Sequence, residues 1–171
     1  MPLHLEPLDL NGDLDEVTSV LIVSCPVCPP VSLAVQKGSP LIELFKSGIK
    51  TRAFERHIDE IRDRLKQRGI RTGVFSIYAP LPTMCLWTNG QRRRLLQRAK
   101  DFEAVFVLGC DSATYTVKKA LKDTECQVVQ AMRMTGITNA IVRFEFPTTI
   151  KLEENTRVAD DKEPRRRLTS G

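Results

Sequence analysis

VTSVLIVSCPVC, residues Val17 to Cys28, is the stretch on which the fold turns. Its centre is a continuous apolar run that suits a strand buried on both faces, as the strands of a parallel sheet are. Cys25 and Cys28 follow the run directly. Ligands of open α/β sheets bind outside the carboxyl ends of the strands, so two thiols at such an end mark a candidate site.

The pattern repeats downstream. Pro26, Pro29 and Pro30 make the next stretch irregular, and Ser39-Pro40 opens a short helix from Pro40 to Ser47 that Gly48 stops. Thr51 to Arg68 is the clearest helix, because Phe54, Ile58, Ile61 and Leu65 recur at helical spacing and Gly69 ends it. Ile70 to Tyr78 reads as a second strand, and Ala79-Pro80-Leu81-Pro82 as an extended loop that carries Cys85 beyond its end. Asn89 caps a helix from Gly90 to Asp101 that buries Leu95, Leu96 and Ala99. Ala104 to Gly109 is a third apolar strand, closed by Cys110; Asp111 or Ser112 caps a helix through Leu121, and Cys126 to Met132 is a fourth strand. Right-handed crossovers join these into an α/β fold, an open sheet of about four parallel strands with flanking helices.

Past Gly136, Ala140, Val142, Phe144 and Phe146 alternate with Ile141, Arg143 and Glu145, the period of a half-exposed strand at an edge. Thr148 to Leu152 reads as its return, giving a C-terminal edge strand or hairpin. The expected organisation is an N-terminal extension over residues 1–16, a single α/β domain over 17–152 and a disordered charged tail over 153–171.

The chain has 171 residues, five cysteines and a net charge of +5. Met1 to Asp15 carries acids and no apolar core, so it does not read as a signal peptide, and no apolar run reaches eighteen residues. The expectation is a cytoplasmic protein without membrane insertion, where thiols serve metal binding or redox chemistry rather than a disulfide framework. Arg92-Arg93-Arg94 and Arg165-Arg166-Arg167 supply part of the charge. Basic helix faces are more often simply solvated, so nucleic acid is not the expected partner.

Cys25, Cys28, Cys85 and Cys110 are the candidate ligands of a four-thiolate metal or iron–sulfur centre. The first two form a chelate, and adjacent strand ends bring the distant pair to the same edge. Cys126, inside a strand, reads as a buried apolar thiol. A dithiol exchange site at Cys25 and Cys28 ranks below metal binding, because Pro29 and Pro30 disfavour a helix that begins within the pair. His4 and His57 read as solvated. Tyr78, Trp87 and Tyr115 fall near the same edge, as loop packing or as a shield for a cluster. Hydrolytic triads, the phosphate loop and the dinucleotide glycine pattern are missing from the sequence.

With Val20-Leu21-Ile22-Val23-Ser24-Cys25-Pro26-Val27-Cys28, then Met84-Cys85, then Val105-Phe106-Val107-Leu108-Gly109-Cys110-Asp111-Ser112-Ala113, the chain resembles the cysteine-bearing C-terminal domain family of methylenetetrahydrofolate reductase, also found in the small partner subunit of acetogen-type reductases. The resemblance spans roughly Val17 to Leu121. It implies a flavodoxin-like domain in which Cys25, Cys28, Cys85 and Cys110 hold a 4Fe–4S cluster, or zinc as the less favoured occupant. The implied role is an accessory subunit in electron relay or complex assembly, beside a methylenetetrahydrofolate reductase-type catalytic subunit or a corrinoid or redox protein. The prolines around the first pair and Leu86-Trp87 after Cys85 depart from the family pattern.

Overall fold

The computed structural model describes residues 2–10, 17–76 and 87–158. Its centre is a parallel sheet built from β2 (Ser19–Ser24), β4 (Arg71–Ser76), β5 (Ala104–Leu108) and β6 (Gln127–Gln130), in the order β4-β2-β5-β6. All of β2 and all of β5 are buried, which fits strands covered by helices on both faces. Val20 to Val23 and Val105, Val107 and Leu108 are fully buried. Each such side chain contributes about 1.5–3 kcal/mol on burial.

The crossovers are helical. α1 (Cys28–Gln36) and α3 (Arg52–Gln67) lie between β2 and β4 in the chain and pack on each other. α4 (Asn89–Ala99) follows β4, α5 (Asp111–Ala120) follows β5, and these two also pack together. Because the path leaves β2 towards β4 on one side and then crosses to β5 on the other, right-handed connections put the two helix pairs on opposite faces. The point where the winding reverses lies between the carboxyl ends of β2 and β5.

Several boundaries differ from the sequence expectation. Pro40 to Ser47 is not one helix but a two-residue strand, β3 (Ile42–Glu43), and a single turn, α2 (Leu44–Ser47). The cap of α4 is Thr88 rather than Asn89: its hydroxyl accepts from the Gln91 amide at 3.2 Å while the Gln91 side chain accepts from the Thr88 amide at 2.8 Å. α5 is entered from Cys110, and Asp111 accepts a hydrogen bond from the Gln130 side chain instead of capping.

The largest difference is a second sheet. β1 (Leu3–Pro7), β7 (Met132–Glu145), β8 (Thr149–Val158) and β3 form a four-stranded antiparallel sheet in the order β1-β7-β8-β3. The segment expected as an N-terminal extension thus supplies an edge strand. Residues 153–158 of the expected tail continue β8, while 159–171 lie outside the described residues. Only Ala131 separates β6 from β7, and it joins the two sheets: its amide donates to Val107 and its carbonyl accepts from Leu8, both at 3.0 Å.

The outer half of the β7–β8 hairpin has two unlike faces. Phe144 opposes Ile150, which also opposes Ile42, and Val142 opposes Leu152, so these apolar groups share one face. Arg143 opposes Lys151 on the other, where Arg143–Glu153 and Lys151–Glu145 ion pairs form at 3.1 and 2.7 Å. Among the described residues, every exposed large apolar side chain except Val74 and Tyr115 lies on this second sheet or beside α2; Phe45 is 86% and Phe146 98% exposed. No described helix is long and apolar enough to cross a membrane.

Candidate functional site

The carboxyl ends of β2 and β5 are held in register, with Ser24 opposite Leu108. One residue further, the Cys25 amide donates to the Leu108 carbonyl at 2.9 Å, so the chain of Cys25 runs alongside Gly109 and Cys110. A Cβ placed on Gly109 would lie 3.5 Å from the Cys25 Cβ and 2.7 Å from the Ala113 Cβ. Glycine is required there by this close approach of strand end and helix, not by a left-handed backbone. Cys25 and Cys110 are both buried, at 5% and 8% exposure.

Cys28 is the first residue of α1, entered from Val27, and it is half-buried. The expectation that Pro29 and Pro30 keep a helix from starting within the pair is therefore wrong. Proline in the first turn lacks an N–H that would have had no intrahelical acceptor, and its fixed φ already suits the helix. The Cys28 carbonyl accepts from Ser32 Oγ at 2.9 Å. That hydroxyl also accepts from the Leu5 amide and lies 3.0 Å from the Leu3 carbonyl, tying the cysteine-bearing helix to β1 of the second sheet.

Two helices of eight or more residues, α1 and α5, thus open at this edge, at Cys28 and just after Cys110. Neither has a side-chain hydrogen bond at its cap among the described residues. Their first-turn amides give the edge a partial positive character. Thr114 bonds back to the Cys110 carbonyl through its amide and hydroxyl at 2.9 and 3.2 Å. Ser24 and Ser76, at the ends of β2 and β4, share a hydrogen bond of 2.9 Å.

Of the four expected ligands the structure brings Cys25, Cys28 and Cys110 to one edge; Cys85 and Tyr78 lie outside the described residues. Among the described residues no group of three Cys, His, Asp or Glu side chains is gathered closely enough to hold a metal ion. Cys126 is half-buried, one residue before β6, at the opposite edge of the sheet, and burial pushes its thiol pKa up. It is no part of the site.

Trp87 is 7% exposed and packs against Phe75 with ring centroids 6.3 Å apart, in keeping with a packing role, whereas Tyr115, on α5, is 67% exposed. One further expectation changes. Both histidines are buried, not solvated: His4 Nδ1 is 2.9 Å from the Thr138 hydroxyl, and His57 is 7% exposed. His57 falls three residues after Phe54 and four before Ile61, which is the apolar stripe itself, and that spacing was the signal for its burial.

Comparison with protein families, with curated proteins and with solved structures finds no match to this chain.

Proposed function

We propose that the chain is an accessory protein that holds a thiolate-ligated centre where the sheet winding reverses, with Cys25, Cys28 and Cys110 as ligands and Cys85 as the fourth. A 4Fe–4S cluster is preferred over zinc. The observation that carries this reading is the abutment of Cys25 on Gly109-Cys110, two buried thiol-bearing positions at the ends of the two central strands. A donor set of thiols alone suits zinc or iron–sulfur clusters and not the hard, oxygen-seeking cations. Counted in chain order the parallel strands run 2-1-3-4, which supports a flavodoxin-like reading and its ligand crevice at this point.

When bound, a cluster supplies one-electron transfer. The chain's own part is to position the thiolates, to favour negative charge through the first-turn amides of α1 and α5, and to exclude water with the buried strand ends. The exposed apolar face of the second sheet supports assembly with a larger partner. On the resemblance described above, that partner is a methylenetetrahydrofolate reductase-type subunit or a corrinoid or redox protein of one-carbon metabolism. Cys85→Ser and Cys110→Ser test the ligand set: each lowers bound iron and sulfide in protein prepared without oxygen, and metal content unchanged in both overturns the assignment.

A second reading, a dithiol exchange site at Cys25 and Cys28, is favoured by the start of α1 at Cys28. It is separated from the first by metal-free protein, which retains thiol-dependent turnover only on the dithiol reading.

A further inference from the structure

We infer that the chain pairs with a second copy of itself through the outer edge of β7, strand against antiparallel strand, with the two-fold axis at Phe144. β1 covers that edge only as far as Thr138, whose amide donates to the Pro2 carbonyl at 3.0 Å. Beyond it no strand lies beside β7 on this side among the described residues, and residues 141–147 are all exposed. The register fixes where the backbone groups point. The Ile150 carbonyl accepts from the Leu41 amide at 2.8 Å, so the polar groups of Ile150 face β3 rather than β7. Phe144, directly opposite Ile150, then belongs to a pair that exchanges no hydrogen bonds, and its N–H and C=O point away from β8, out of the open edge. Those of Val142, opposite Leu152, do the same. An edge of open donors and acceptors is a template for another strand.

The sequence of this edge selects a second copy as that strand. In an antiparallel pair centred on Phe144, the two Phe144 residues lie opposite each other, Arg143 of each copy opposite Glu145 of the other, and Val142 opposite Phe146. Charges then meet opposite charges and apolar residues meet apolar ones. A centre at Arg143 or Glu145 would set like charges against each other, and one at Val142 would set Arg143 against Ile141. The charges around the edge also cancel, Arg143 and Lys151 against Glu145 and Glu153, so no like-charge field opposes approach. The far edge of the hairpin is closed to such pairing, because Ile150 is taken by Ile42 of β3 and Glu154, at φ 45°, interrupts the strand. Pairing lays the two apolar faces side by side and sets Phe146, 98% exposed, against Val142 of the other copy. The second copy takes the edge of the hairpin and leaves its face to a larger partner. The inference does not rest on the thiolate reading.

The test is sedimentation equilibrium of the full chain at about 1 to 100 μM, kept reduced so that no disulfide joins two copies. A monomer–dimer equilibrium is expected in that range. Arg143→Glu sets acids against each other on both sides of the axis and Glu145→Arg sets arginines against each other, so each weakens association at least about tenfold. Both residues are exposed, and the surface ion pairs they make within the hairpin contribute little to stability, so the fold is kept. Mixed in equal amounts, the two variants restore the dimer, because the acidic edge of one faces the basic edge of the other. A chain that stays monomeric throughout the range overturns the inference. So do a dimer that neither variant weakens and a pair of weakened variants that mixing fails to restore.

Discussion

At Gly109, the contact that brings Cys110 beside Cys25 leaves no space for a methyl group, since an added Cβ would lie 2.7 Å from the Ala113 Cβ. Ala113 sits in the first turn of α5, so the strain of Gly109→Ala is relieved only by moving the helix that begins after Cys110. Overpacking of this kind costs about 1–3 kcal/mol. We expect a lower urea midpoint together with reduced metal content, whereas an unchanged midpoint would show that the strand end and α5 are less closely fitted. The histidines set the response to acid. Burial holds both His4 and His57 below the ordinary imidazole value of 6.5, so the unfolded chain binds protons that the folded one refuses. Stability is then complete above about 6.5 and is lost as the pH falls through it. Glu103, held below its usual range first by its bond from the Thr18 amide, and Glu43, by its bond from Lys46, add stability that disappears only at lower pH. Urea midpoints measured between neutrality and mild acid should decline, with a shallower decline in His57→Gln; a midpoint flat across that range contradicts this account.

Among the elements, the ones legible in the sequence are those whose pattern is set by burial alone. β2 and β5 read as unbroken apolar runs because both faces are covered, and α3 reads as a helix because its apolar stripe repeats for sixteen residues. α4 carries a reciprocal cap as well, and removing the Thr88 hydroxyl in Thr88→Ala should cost about 1 kcal/mol, read as a lower thermal midpoint. What stayed hidden has local causes. β1, with the sequence LHLEP, is too short to show a period, and its register is fixed by β7, more than a hundred residues away. The second half of β8, from Glu153, looks like a charged tail because its side chains lie on an open face, where Glu153 pairs with Arg143. The start of α1 at Cys28 departs from the sequence pattern because proline opposes helix in interiors more than in first turns. The candidate site is legible through Cys25, Cys28 and Cys110, which depend only on where the strands end and the next helices begin.

For the whole molecule, the parallel sheet with its helices forms a closed core, whereas Val142, Phe144 and Phe146 on the β7–β8 hairpin and Phe45 on α2 are left in water. Exposed apolar area of this kind is the usual mark of an interface, while Ser32 ties the helix that carries Cys28 to β1 at the other edge of the antiparallel sheet. The central claim nevertheless concerns the thiols. It is tested most directly by preparing the full chain without oxygen and measuring its visible spectrum with iron, sulfide and zinc per chain. The account predicts about four iron and four sulfide with visible absorption that bleaches on reduction. Stoichiometric zinc without colour would keep the ligands and remove the electron-relay role, and protein free of both metals would contradict the thiolate centre.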